Sequence, residues 1–167
     1  MLRGRVWRLG DGISTDLIAP GRYFHLRSNL PELARHLLED VNPELAAGIQ
    51  PGDILVAGRD FGIGSSREHA PRIIKISGVA AVVAESFSRL FFRNAVNIGL
   101  PVVVCDTAGI EEGDCLKIDL GHGVLSVPAR GIRREIPRLP AVMLDILSEG
   151  GLVPYVKKHG DLRTEAD

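Results

Sequence analysis

The stretch Gly58-Arg59-Asp60-Phe61-Gly62-Ile63-Gly64-Ser65-Ser66-Arg67-Glu68-His69-Ala70-Pro71 gathers the groups in this chain best suited to hold an anion. Gly62 and Gly64 let the backbone turn tightly and bring N–H groups close to a ligand. Arg67 adds a full positive charge on a fork that matches carboxylate or phosphate. A helix starting just after it adds the partial positive charge of its N-terminus. Ser65 and Ser66 supply hydroxyls. The spacing is not that of a phosphate loop: Arg67 stands where a dinucleotide fingerprint needs its third glycine, and no Gly-Lys-Ser/Thr occurs. The competing reading is a capping box, because Ser65-x-x-Glu68 fits Ser/Thr-x-x-Glu. Pro71 argues against it. With Ser65 as N-cap, Pro71 would fall inside the helix, where it removes a hydrogen bond and costs about 3 kcal/mol. A start near Arg67 or Glu68 moves Pro71 toward the tolerated first turn and leaves both hydroxyls free, so the anion site is preferred.

These residues need elements to hold them. Ile54–Gly58 before the stretch is a short apolar run typical of a buried strand, and a helix follows through about Ile76. Gly78–Ala84 is a second buried strand. Ser86 is placed to cap a helix over Phe87–Ile98, ended by Gly99. Leu100–Cys105 is a third strand. The order β-α-β-α-β with short loops predicts parallel pairing and right-handed crossovers. In open α/β sheets ligands bind at the carboxyl ends of such strands, which is where Gly58–Pro71 begins. Residues 3–9 read as an opening strand and 10–22 as loop. Leu30, Leu33, Ala34, Leu37 and Leu38 recur at helical intervals, with Pro31 in the first turn. Cys115–Leu120 and Val124–Val127 flank Gly121-His122-Gly123 as a hairpin. Ala141–Gly150 and Leu152–His159 read as terminal helices. The expected fold is α/β, a βαβ centre with added antiparallel strands, in one domain over residues 1–167.

Composition narrows the function classes. The chain has 167 residues, 45% of them hydrophobic and 25% charged, as in ordinary globular proteins. Lys plus Arg is 20 against 21 for Asp plus Glu, so no basic excess points to nucleic acid. No apolar run approaches the ~20 residues of a membrane span, and the N-terminus lacks a signal-peptide core. Two cysteines, Cys105 and Cys115, are too few for a disulfide scaffold or a four-thiolate metal site, and both read as packing residues. His25, His36, His122 and His159 share no ligand spacing, so no metal site is expected on this chain. A cytoplasmic chain with reduced thiols is expected.

Three segments, in order, carry a resemblance. Gly64-Ser65-Ser66-Arg67-Glu68-His69 resembles the signature of the swivelling domain of the aconitase superfamily. Ser14-Thr15-Asp16-x-Ile18 with Pro20 resembles that family's Thr-Asp loop. Ala84-Glu85-Ser86-Phe87-x-Arg89-x-Phe91-x-Arg93-Asn94 resembles its next strand–helix segment. A free-standing chain of this length resembles the small subunits of 3-isopropylmalate dehydratase and homoaconitase. The resemblance implies an aconitase-type swivelling domain (β/β/α) in a two-subunit hydro-lyase. The large subunit, in a heterodimer or heterotetramer, would hold a [4Fe–4S] cluster, and this chain would bind none. The implied reaction moves a hydroxyl between adjacent carbons of a small hydroxy acid by dehydration and rehydration. By family match Ser65 would be the base, acting as an alkoxide. Ser66, Arg67 and the Gly64 turn would bind substrate carboxylate, and Asp16 would orient neighbouring groups. From the residues alone, Asp16 reads instead as an Asx turn, and His69 as a packing or supporting residue.

The family's substrate-reading region matches Tyr23-Phe24-His25-Leu26-Arg27-Ser28. An apolar loop would accept an isopropyl group, and an arginine would bind an extra carboxylate. This sequence offers both kinds, with Arg27 as the cation. The expected activity is 3-isopropylmalate dehydratase, in leucine biosynthesis, with homoaconitase as the enzymatic alternative. An anion-binding regulatory domain is the non-enzymatic one. Arg89 and Arg93 lie four apart on one helix and face either solvent or a partner.

Overall fold

The apolar runs fold as inner strands because both of their faces are covered. In the computed structural model, which describes residues 1–160, Ile54–Val56 (β2), Ala81–Ala84 (β3) and Val102–Val104 (β4) pair in parallel. Every residue of β2 and β3 is buried, so the runs do not alternate. The opening strand Leu2–Arg8 (β1) serves two partners. Its second half pairs parallel with β2, Val6 opposite Ile54, and its first half antiparallel with Cys115–Asp119 (β5), Leu2 opposite Ile118. Val124–Val127 (β6) completes the expected hairpin, and Ile132–Glu135 (β7) pairs antiparallel outside it. The sheet has seven strands in the order β4-β3-β2-β1-β5-β6-β7.

Alternate residues of the parallel strands feed two cores. Trp7, Leu55, Val82 and Val102 pack under helices, with Leu33, Ile73, Ile74 and Ala95. Val6, Ile54, Val56 and Val83 pack against Leu116, Ile118, Leu125 and Val127 of the antiparallel half, so the sheet curls over on itself. The helices are Thr15–Ile18 (α1), Leu30–Ala34 (α2), Leu45–Gly48 (α3), His69–Ile76 (α4), Arg89–Asn97 (α5), Ala141–Ser148 (α6) and Leu152–His159 (α7).

Several local expectations are corrected. Residues 10–22 are not all loop, since α1 and a 3-10 helix over Gly21–Leu26 lie there. The Leu30 helix stops at Ala34 rather than Leu38. Leu38 instead adopts a left-handed φ of 53° and donates its N–H to Ile18 O at 3.1 Å, which buries Leu37 and Leu38 completely. Ser86 does not cap α5. Phe87 is still extended, bridged to Phe61, so the cap falls to Ser88, whose Oγ accepts from Phe91 N–H at 3.3 Å. Cys115 is exposed on the outer face of alternating β5 and accepts a hydrogen bond from Arg3 Nε at 3.3 Å; only Cys105 is buried. β7 has one apolar residue in four and gave no strand signal.

Buried Asp53 ties the start of β2 to β1. Its Oδ2 accepts from Trp7 Nε1 at 2.9 Å, Gln50 N–H at 2.9 Å and Arg5 Nη2 at 3.2 Å. Arg5 is half exposed, so its share is small. Asp53→Ala leaves the Trp7 and Gln50 donors without a partner and is expected to cost about 2–3 kcal/mol in a denaturant titration. Asp53→Asn, which can still accept from Trp7, is expected to lose less. An alanine variant as stable as the parent would contradict this account.

Candidate active site

The loops leaving β1 and β2 are zipped together by backbone hydrogen bonds. Leu9 N–H donates to Val56 O (2.7 Å), Gly12 N–H to Arg59 O (2.8 Å), Gly62 N–H to Ile13 O (2.7 Å) and Thr15 N–H to Ile63 O (2.9 Å). Thr15, 4% exposed, then donates its Oγ1 proton to Ser65 O at 2.8 Å. The Thr-Asp turn and the glycine-serine loop therefore form one unit at the carboxyl ends of neighbouring parallel strands. Ser14 starts α1, its Oγ accepting from Leu17 N–H at 3.1 Å. Asp16 thus sits in the first turn of a capped helix rather than at the head of an Asx turn.

Arg67 joins the candidates. Its Nη2 lies 3.2 Å from Asp16 Oδ1, its Nη1 donates to Ala19 O at 3.3 Å, and its Nε donates to Ser65 Oγ at 3.4 Å. The arginine side chain is only 20% exposed, whereas Asp16 is 64% exposed. Gly21 makes room for the pair, because a Cβ there would stand 2.7 Å from Asp16 Oδ1. Gly64, with a φ of +100°, turns the chain so that Gly64, Ser65 and Ser66 are open to solvent. The capping box does not form: α4 begins at His69, and Glu68 at its N-cap makes no side-chain cap bond. Pro71 falls in the first turn, as the later start requires.

Arg27 reaches the same corner through Phe24. Its guanidinium carbon lies 4.3 Å from the Phe24 ring centroid, and that of Arg67 lies 5.8 Å from it. The His69 ring meets Phe24 edge-on at 6.0 Å. Burial, then the Arg67 and Arg27 charges, push the His69 pKa below its usual value. Among the described residues the Arg27 side chain bonds only Phe24 O, at 3.1 Å, and no carboxylate pairs with it. Ser66 stands next to these groups without a side-chain hydrogen bond among the described residues. Thr15, Phe24 and Gly21 were not assigned roles from sequence. Thr15 lay within the matched motif and Phe24 within the matched substrate-reading segment, though without a role of its own; nothing marked Gly21.

Arg89 and Arg93 stand apart. They line a groove of about 550 Å³ with Phe87, Phe92, Met143 and Leu152, and none of the candidate site residues lines it. The cysteines do not fit a [4Fe–4S] cluster on this chain. Cys105 is buried at the end of β4, its thiol pushed up to about 11 mainly by burial, and Cys115 is exposed on β5. Two thiols fall short of cluster ligation, and the described residues hold no group of three His, Cys, Asp or Glu placed for a metal ion.

The curled mixed sheet, with Ser-Ser-Arg and Thr-Asp turns interlocked at the carboxyl ends of its parallel strands, matches the fold of an aconitase-type small subunit. Residues 39–106 match the family described as Aconitase C-terminal domain. Small subunit 2 of 3-isopropylmalate dehydratase from Archaeoglobus fulgidus is 58% identical over 160 residues, 96% of this chain and 97% of that one. The methanogen homoaconitase small subunit of Methanothermobacter thermautotrophicus is 47% identical over 167 residues, 100% of this chain and 97% of that one. The crystal structure of 3-isopropylmalate dehydratase (leuD) from Methanocaldococcus jannaschii superposes with a TM-score of 0.89 at 37% identity, covering 95% of each chain. The chain belongs to the family of 3-isopropylmalate dehydratase small subunits, of which the homoaconitase small subunits are close relatives.

Proposed function

We propose that this chain, joined to a large subunit, interconverts 2-isopropylmalate and 3-isopropylmalate by dehydration and rehydration, in leucine biosynthesis in the cytoplasm. Arg67 carries the reading: one half-buried guanidinium touches Ser65 Oγ, Asp16 and Ala19 O, so base, orienting acid and anion site share one anchor. We assign the [4Fe–4S] cluster to the large subunit and the proton chemistry to this chain. Ser65 Oγ takes the proton from the carbon next to a carboxylate while hydroxide leaves the adjacent carbon. The reverse addition with the positions exchanged gives the isomer. A free hydroxyl is a weak base, and the nearby Arg67 charge favours its alkoxide. Ser66, the Gly64 turn and Arg67 receive the substrate carboxylate, and Asp16 fixes the Arg67 fork. The exposed Ser65 and Ser66, flanked by exposed apolar Phe24 and Ile63, fit a half-site that a large subunit covers.

The second reading, a homoaconitase small subunit, draws on Arg27, whose guanidinium has no carboxylate partner among the described residues. The test is steady-state turnover after anaerobic reconstitution with the cluster-bearing subunit, on isopropylmalate and on homocitrate. We expect isopropylmalate to be preferred, with Arg27→Ala changing its kcat/KM less than about threefold. Preference for homocitrate, lost by about 100-fold in Arg27→Ala, would replace the first reading with the second. Citrate binding to the isolated chain in calorimetry, with no turnover in the complex, would favour the anion-binding regulatory domain.

A further inference from the structure

The 3-10 helix Gly21–Leu26 touches two separate parts of the molecule. Phe24, with Arg27 just beyond, meets Arg67 and His69 at the candidate site. Tyr23 and Arg22 instead meet the segment that follows α2. The Tyr23 ring stacks on His36 at 3.7 Å between centroids and 13° between planes. His36 Nδ1 lies 3.0 Å from Glu39 Oε2, and Tyr23 Oη donates to Glu39 Oε1 at 3.4 Å. Arg22 reaches Glu39 at 3.3 Å and grips Asp40 with two bonds, of 2.8 and 2.9 Å.

The two sides of this contact differ in how firmly they are held. Gly21–Leu26 has no buried residue of its own. His36, Glu39 and Asp40 flank Leu37 and Leu38, which are fully buried, and the Leu38 N–H is bonded to Ile18 O. One side of the contact is therefore part of the core, and the other rests on it through Tyr23 and Leu26, which are only partly buried. We propose that His36, with Tyr23 and Glu39, is a latch that sets the position of Phe24 and Arg27, making His36 a positioning residue for substrate selectivity. The selectivity half rests on the reading of residues 23–28 as the segment that meets the substrate's variable group. The stacked pair carries the latch, because the Arg22 ion pairs are half exposed and weak individually.

Two variants and two readouts test it. His36→Ala removes both the stack and the Glu39 bond, and His36→Phe keeps an aromatic partner for Tyr23. In the full chain, hydrogen exchange at the Tyr23 and Arg27 amides, bonded to Pro20 O and Phe24 O, is expected to quicken about tenfold in His36→Ala and to stay unchanged in β2 and β3. In the reconstituted enzyme the ratio of kcat/KM for isopropylmalate over homocitrate is expected to shift about tenfold, mainly through KM, and His36→Phe to restore most of it. Unchanged exchange in His36→Ala would overturn the latch. Faster exchange with an unchanged ratio would overturn its role in selectivity. If the parent complex turns over neither acid, the proposed activity fails while the exchange data still decide the latch.

Discussion

Ser65→Ala is expected to lower kcat of the reconstituted enzyme by about 10³–10⁴-fold, at the upper range of a lost general base. The reason to expect so clean an effect is how the loop is held. Its position depends on backbone groups: Thr15 Oγ1 donates to Ser65 O, Thr15 N–H to Ile63 O and Gly62 N–H to Ile13 O. The alanine variant keeps all of these. What it loses is one exposed hydroxyl whose only partner among the described side chains is Arg67 Nε at 3.4 Å. The change in stability should stay within about 0.5 kcal/mol, as for a surface substitution. The measurement is kcat beside a melting curve and a sedimentation profile of the complex. Substantial turnover by the alanine variant in an intact complex would remove Ser65 from the role of base and pass it to another group.

Gly62→Ala is expected to destabilise the chain by about 3 kcal/mol, or roughly 10 °C in melting temperature. Two costs combine. Gly62 has a φ of +81°, where an L side chain is strained. A Cβ built there would also stand 2.3 Å from Phe91 Cγ and 2.4 Å from Phe91 Cβ. Phe91 is 2% exposed and packs edge-on with Phe61 at 5.2 Å, so it has little room to yield. Gly113→Ala separates the two costs, since Gly113 has a φ of +83° and nothing within 4 Å of the added Cβ. It should lose only about 1 kcal/mol. Equal losses in the two variants would mean that the loop moves off Phe91 without cost. A larger loss for Gly62 would also displace Ser65, so activity should fall with stability there and not in Gly113→Ala.

The order β-α-β-α-β, the hairpin and the terminal helices were readable from the chain because each is local. A run such as Ile54-Leu55-Val56 must be covered on both faces, and a residue such as Pro71 tolerates few helix positions. Pro71 alone separated a free Ser65 from a helix cap, and the late start of α4 agrees with it. The elements misread are those whose form depends on distant partners. Leu38 ends a helical pattern in a left-handed turn because Ile18 O and the core receive it there. Phe87 stays extended because Phe61 pairs with it, which moves the cap from Ser86 to Ser88. β7 exists only as the neighbour of β6.

The candidate site divides the same way. By itself the sequence determined which residues carry hydroxyl, carboxylate and guanidinium, and that Ser65, Ser66 and Arg67 stand together after a buried strand. Only the tertiary structure decided that Asp16, far away in the chain, meets Arg67 at 3.2 Å, and that Thr15 holds the Ser65 carbonyl. It alone placed Phe24 between Arg27, Arg67 and His69, and tied Tyr23 to His36. The physical reason is the parallel pairing of β1 with β2. It brings the loops after both strands to one edge, where their amides bond each other, and no local pattern encodes which two loops those are.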